Sequence, residues 1–307
     1  MKKLSIVICT YNRELYIAES ILAAINQTTS QEEYQVIVVN NNSKDRTNEI
    51  CRRLLNEDGL QFDYFIETNQ GNSYARNRGI KEATGNIIVF VDDDAIMESD
   101  YVTNLLAFYQ KHPNVDAAGG RIYPRYEEKK ADWLSPVLMP LIAALDMGNK
   151  PKAFRWGKFP IGANMSFRKQ VFEKIGVFNV NLGRIGMNLQ GGDEKDVFAR
   201  MRVDNLSIWY CPDAIVHHVI PATRLEDSYI KRMGIGVGES EYRRTKIIGQ
   251  KAFLVACMKE LIKWGITFAL GFIYLISFHI PKAKMLMKFR GWVSKGLFFN
   301  DINIKNT

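Results

Sequence analysis

Cysteine is scarce in this chain. There are four in 307 residues, Cys9, Cys51, Cys211 and Cys257, and none lies within five residues of another. That spacing excludes CxxC zinc sites, and a chain of this size needs no disulfide framework, so reduced thiols are expected. P-loop, HExxH and GxSxG signatures are all missing. The one glycine repeat, Gly234, Gly236 and Gly238, follows no first strand and so fails as a dinucleotide fingerprint. The opening MKKLSIVICTYNR has two lysines and then only six mostly apolar residues, too few for a signal peptide. Internal repeats and low-complexity segments are lacking too. The hydrophobic share of 47% and charged share of 24% are those of a globular protein, which excludes disordered, collagenous and coiled-coil chains.

Acidic residues are lacking in one region. Residues 245–307 hold ten Lys and Arg against Glu260 and Asp301, whereas residues 1–244 hold 31 basic and 31 acidic side chains. A neutral body argues against nucleic acid as a partner. The excess charge sits in a tail that is also apolar, and residues 264–281 contain no charged side chain at all. Eighteen such residues just reach the length of a membrane span. Lys282, Lys284, Lys288, Arg290 and Lys295 follow and suit an anionic cytoplasmic leaflet. Pro281, Gly265 and Gly271 weaken a straight span, so the expectation is an in-plane or re-entrant segment. The division expected is a domain over 1–244 and a basic, apolar, helical membrane-association segment over 245–307. Lipid contact is expected through 252–298, at the cytoplasmic side of the cell membrane.

The first 120 residues alternate between two periodicities. Short apolar runs at Leu4–Cys9, Val36–Val39, Phe62–Ile66, Ile87–Val91 and Val115–Ala118 read as strands. Between them, spacings such as Ala18, Ile21, Leu22, Ile25 and Val102, Leu105, Leu106, Tyr109 read as helices. The pattern predicts an α/β fold with a mostly parallel sheet flanked by helices. Residues 121–160, with Pro124, Pro136, Pro140, Trp133 and Trp156, break the rhythm as a long excursion. Beyond it, Phe159–Met165, Ser207–Tyr210 and Ala214–Val216 read as strands, and Asp193 to about Val203 and 225–248 as helices.

Three polar clusters follow strand ends: Thr10-Tyr11-Asn12-Arg13, Asn40 to Asp45, and Asp92-Asp93-Asp94. Open α/β sheets bind ligands at that edge. Three adjacent carboxylates repel one another, and a hard divalent cation, Mn²⁺ or Mg²⁺, relieves them. The Asn41 amide offers a donor and an acceptor to a nucleobase edge. The cluster Asp193-Glu194-Lys195-Asp196 supplies carboxylates for proton abstraction, and equally suits a helix N-terminus. Arg224 and Arg232 suit bidentate contacts to the diphosphate that the family resemblance given next implies.

These stretches resemble family 2 glycosyltransferases. The resemblance is carried in order by Ser5–Arg13, VVNNNSKDRT (38–47), NQGNSYARNRGI (69–80), FVDDDAIM (90–97), GANMSFRK (162–169), GGDEKDVFARM (191–201) and VHHVIPATRL (216–225). It implies a GT-A fold, a nucleoside-diphosphate-sugar donor and inversion at the anomeric carbon. By position it implies that Thr10, Tyr11 and Asn41 line the donor base and that Arg76 and Asp93 line the nucleoside, with Arg13 a further donor-binding residue. It also implies Asp94 as a metal ligand alongside Asp92, a metal or diphosphate contact from the His217-His218 pair, assigned to His218, and Glu194 as the base, with Asp193 second. Many members carry Asp where Asn40 or Asn41 stands. An Asn still pairs with a pyrimidine imide, so a UDP- or dTDP-sugar is expected, with a saccharide or lipid-linked saccharide acceptor in bacterial surface-polysaccharide assembly. A sugar-phosphate nucleotidylyltransferase is the rival enzyme, but it would want a glycine-rich loop after the first strand. A non-catalytic nucleotide-sugar-binding membrane protein is the other rival, and it would need no base.

Overall fold

The computed structural model describes residues 2–155, 157–184 and 192–299; Trp156, Gly191 and Asp301 lie outside the described residues. The chain divides into two compact units. The first comprises Met1–Arg125, Ala143–Gly186 and Asp193–Val219, and the second Tyr126–Ile142, Met187–Gly192 and Ile220–Thr307.

The first unit is built on one large sheet. Its strands are β1 (Leu4–Thr10), β2 (Tyr34–Asn40), β3 (Asp63–Ile66), β4 (Ile87–Asp92), β5 (Ala95–Met97), β6 (Ala117–Tyr126), β7 (Lys152–Ala153), β8 (Asn164–Arg168) and β9 (Ile208–Ile220). Their order is β3-β2-β1-β4-β8-β6-β9-β5, with β7 also paired to β9. The helices between them are α1 (Ile17–Ile25), α2 (Thr47–Leu55), α3 (Asn72–Glu82), α4 (Tyr101–Lys111), α5 (Lys169–Ile175) and α6 (Asp193–Val203).

The sheet corrects one expectation: it is mixed, not mostly parallel. Strands β3, β2, β1 and β4 run parallel. Antiparallel pairing starts where β8 docks on β4, Val91 opposite Asn164, and continues through β6–β8, β5–β9 and β7–β9. Short helical crossovers return the first four strands in one direction. The long excursion after β6 imposes no such return, and β8 enters from the opposite end.

Alternation along each central strand fills two cores. Leu4, Ile6 and Ile8 of β1 join Val89 of β4 and Ile21 of α1 on one face. On the other face, Val7 of β1 joins Phe90 of β4, Ala75 of α3 and Phe198 of α6. With apolar residues on both faces, the parallel strands must be covered on both sides.

In the second unit, α7 (Asp227–Ile248), α8 (Gln250–Ile276) and α9 (Ile280–Phe298) pack on one another. Here the glycine repeat finds its use. A Cβ at Gly238 would stand 2.1 Å from the Val293 carbonyl oxygen, and one at Gly296 would stand 2.0 Å from that of Ile235. The backbones of α7 and α9 touch only because those positions carry no side chain. The uncharged stretch 264–281 is not one helix: Ser277, Phe278 and His279 separate α8 from α9. Among the described residues, no helix is long and apolar enough to cross a membrane.

The Gly238→Ala variant is expected to pry α9 from α7, at a cost of about 1–3 kcal/mol as in other overpacked contacts. Amide exchange along α9, measured by mass spectrometry, would accelerate about tenfold or more. Gly265→Ala, where a Cβ meets nothing within 4 Å, is expected to leave exchange unchanged or slower.

Candidate active site

The polar clusters converge at the carboxyl edge of β1, β2 and β4. Thr10 and Asn40 end their strands in register, and the Asn41 amide N–H donates to the Thr10 carbonyl at 2.8 Å. The two loops that follow are cross-tied: Asn12 N–H donates to Ser43 Oγ (3.0 Å), Lys44 N–H to Asn12 Oδ1 (2.7 Å) and Arg13 N–H to Thr47 Oγ1 (2.8 Å). Asn12 takes a left-handed φ of 53° that asparagine tolerates. Tyr11 stands partly exposed between them.

Asn41 is buried, and its side chain is engaged. Nδ2 donates to the carbonyls of Glu67 (3.1 Å) and Asn69 (2.7 Å), while Oδ1 accepts from the Gly71 N–H (2.7 Å) and Gln70 Nε2 (3.2 Å). These bonds set the entry to α3. Gly71, the residue before that helix, has φ 147°, a region only glycine enters freely.

Asp92 ends β4, with Asp93 and Asp94 buried behind it. Arg13 Nε reaches Asp93 Oδ1 at 3.2 Å, and its Nη2 lies 3.5 Å from Asp94 Oδ2. Burial pushes the Asp93 carboxyl up to about 6, against the pull of Arg13 and with the push of Asp94. The short strand β5 pairs Ala95 with His218 and so brings β9 against the triplet. His218 Nε2 then lies 3.0 Å from Asp94 Oδ1, both side chains almost wholly buried. His217 points elsewhere, to Glu98 at 2.9 Å, and is 40% exposed. Ligand atoms of Asp92, Asp94 and His218 all fall within 4.8 Å of one another. Two carboxylates and an imidazole at that spacing are a donor set that fits a divalent cation.

Arg76, on α3, is 3% exposed. Its Nη1 donates to Asp193 Oδ2 at 2.7 Å and its Nη2 to Glu194 Oε1 at 2.9 Å, both at the first turn of α6. The guanidinium also lies 5.2 Å from the Phe178 ring centroid and 5.9 Å from that of Phe90. Burial opposes its charge, but Asp193, Glu194 and Asp92 outweigh burial and hold the proton more firmly than usual. Burial raises the Glu194 carboxyl above the ordinary glutamate value, with Arg76 pulling it down and Asp193 and Asp92 pushing it up. Asp193 is closed off at 4% side-chain exposure, while Glu194 keeps 26%. Of the pair, Glu194 is the one a ligand can reach.

Gly162 completes the site and escaped the sequence reading. A Cβ there would stand 1.9 Å from Glu194 Oε1 and 2.5 Å from Arg76 Nη2. The signal was a glycine inside the GANMSFRK stretch; Phe178 had none. Arg224 and Arg232 are placed in the second unit, in the short 3₁₀ turn Ala222–Leu225 and on α7, with the Arg232 guanidinium 5.9 Å from the Tyr229 ring.

Residues 5–176 match the family described as Glycosyl transferase family 2, and the chain belongs to that family. A glucosyl-dolichyl phosphate glucuronosyltransferase of Haloferax volcanii is 29% identical over 60% of this chain and 58% of its own. A minor teichoic acid biosynthesis protein of Bacillus subtilis is 37% identical over 36% of this chain and 12% of its own. The chain thus spans less than two thirds of these relatives. Among solved structures, a mannosyltransferase of Pyrobaculum calidifontis in complex with GDP-Man and Mn²⁺ superposes with a TM-score of 0.65 at 17% identity, covering 98% of this chain and 89% of that one. The fold is therefore GT-A-like.

Replacing Asp94 by Asn is expected to weaken Mn²⁺ binding at least about tenfold, the usual scale for disturbing a metal site. Titration calorimetry of the apo protein reads this directly. Unchanged affinity would remove Asp94 from any metal site.

Proposed function

We propose that the chain is an inverting, metal-dependent glycosyltransferase that moves a sugar from a nucleoside diphosphate to a hydroxyl acceptor. The observation that carries this reading is the Asp193–Arg76–Glu194 triad beside the Asp92, Asp94 and His218 donor set, with Asp92 close enough to act on both Arg76 and Glu194. A cation held by Asp92, Asp94 and His218 would neutralise charge growing on the leaving diphosphate. The imidazole favours Mn²⁺ over Mg²⁺, which prefers oxygen ligands.

The remaining work falls to side chains. Glu194, ionised and reachable, takes the proton of the acceptor hydroxyl. That oxygen bonds to the anomeric carbon as the bond to the diphosphate oxygen breaks. The proton stays on Glu194 and the nucleoside diphosphate leaves with the bonding pair. One displacement at one carbon inverts it, and one base suffices. Asp193 neutralises Arg76, and Arg76 fixes Glu194 in place, so neither needs to touch the donor.

Thr10, Tyr11, Arg13 and Asp93 border the donor pocket in this reading, and Asn41 shapes its wall by holding the 67–71 loop. A UDP- or dTDP-sugar donor is what the family resemblance implies. The acceptor is a saccharide or lipid-linked saccharide of surface-glycan assembly, as the names of the relatives suggest, and the chain works at the cytoplasmic face of the cell membrane. Release of nucleoside diphosphate from a panel of nucleotide sugars tests the donor class, and release of pyrophosphate instead would favour nucleotidylyl transfer.

Glu194→Gln is expected to cut turnover about 10²-fold or more, the scale of general-base loss, with donor affinity little changed. Because the Glu194 carboxyl is raised, it takes up its proton at a higher pH than an ordinary glutamate. Turnover by the unmodified chain should fall on acidification above the usual carboxylate range, and the variant should lose that limb. A pH–rate profile with near-normal turnover in the variant would move the base elsewhere.

A further inference from the structure

Helix α8 is inside out for a water-soluble protein. The side facing its helical partners carries Ala256, Glu260, Thr267 and Gly271, small or polar and buried. The opposite side carries Leu254, Met258, Leu261, Phe268, Phe272 and Ile276, spaced by three, four or seven residues and each 57–68% exposed. A helix on an aqueous surface turns its apolar stripe inward. Here the polar groups are used between helices: Glu260 accepts from Arg290 Nη1 (3.1 Å to each oxygen) and from Ser294 Oγ (2.9 Å), and Trp264 Nε1 donates to Ser294 Oγ (2.8 Å). Close glycine contacts between α7 and α9 add packing that needs no apolar side chains. Small-residue contacts and internal polar clasps hold helices together where the surroundings are themselves apolar.

Charge identifies those surroundings. Glu260 is the single acid among residues 249–299, and it is buried. Lys251, Lys259, Lys263, Lys284 and Lys295 are exposed. By helical spacing, Lys251 falls at the margin of the apolar stripe, where a long side chain reaches from hydrocarbon to headgroups, while Lys259 and Lys263 stand away from it. Length fixes the depth. The uncharged part of α8, Trp264–Ile276, is about 20 Å long at 1.5 Å per residue, against the roughly 30 Å of a bilayer core. Lys282 and Lys284 follow directly after the turn, so a steep insertion would drag them into hydrocarbon.

We propose that the outward face of α8 lies in the plane of one leaflet of an anionic bilayer, with Lys251 at the headgroups. The proposal rests on the membrane location given above and adds the surface and the depth. Flotation of the full chain with vesicles tests it. Binding is expected to phosphatidylcholine vesicles containing one quarter phosphatidylglycerol, and to fall about tenfold or more on phosphatidylcholine alone, since each nearby lysine adds to the attraction. The paired substitution Leu261→Gln and Phe272→Gln should lower binding at least about tenfold by removing apolar contact. Both positions are exposed, so the fold is expected to persist, with an unchanged circular dichroism spectrum and unchanged donor turnover on a soluble acceptor. Equal binding by the variant would overturn the assignment of this face. So would failure of the unmodified chain to bind either vesicle, or a lipid-free dimer that the same substitutions abolish. Absence of donor turnover alongside variant-sensitive flotation would refute the transferase reading and leave this one standing.

Discussion

A guanidinium withdrawn from water is tolerated only where carboxylates neutralise it and its donors are used. Arg76 meets that condition with Asp193 at 2.7 Å and Glu194 at 2.9 Å, pressed near two phenylalanine rings. Much of the first unit is arranged to make the pairing possible. Helix α3 must lie against β1 to bring Arg76 to the sheet edge, and Gly79 permits this, since a Cβ there would stand 2.2 Å from a Val7 methyl. Asn41 and Gly71 set where α3 begins. On the far side, α6 presents two adjacent acids from its first turn, where the helix dipole favours negative charge. Gly162 leaves the room in which Glu194 sits.

A division of labour follows from exposure. Asp193 is sealed and serves as a counter-ion, and Glu194 is reachable with its proton affinity raised. The carboxylates of the triplet differ too: both Asp93 and Asp94 meet Arg13, and Asp94 alone also meets His218. Adjacent residues in sequence thus hold unlike positions, because successive side chains at a strand end or helix start point in different directions.

Much of this is legible in the sequence. The strands β1, β2 and β4 and the helix α6 are readable because continuous apolar runs and an acidic first turn are local signals. The antiparallel half is not, since the pairing of β8 with β4 joins residues over seventy positions apart. Strand β9 reads as two because Pro212 interrupts it. In the structure, β7 pairs with Trp209 and Tyr210, and β5 with Val216 to His218, so along that edge the proline falls between the two partners. Strand β5, at three residues, is too short to show a period, yet it places His218. The donor contacts of Arg76 and Asn41 are implied only by their positions in the family resemblance. What periodicity cannot reveal is that Arg76 pairs with two acids more than a hundred residues away and that the Asn41 amide is engaged by its own neighbouring loop. The glycines of α7 are conspicuous in sequence, but their partner, α9, is visible only once the helices pack.

In the proposed reaction Arg76 acts through Glu194 and not on the donor. Steady-state kinetics of Arg76→Lys across pH, with the donor varied, tests it most directly. An ammonium keeps the charge but cannot fork between two carboxylates. The substitution is expected to lower kcat about tenfold or more, to change the donor KM little, and to displace the acid limb to higher pH as Glu194 loses a stabilising partner. A raised donor KM with kcat and the acid limb unchanged would contradict it, and would place Arg76 on the donor instead.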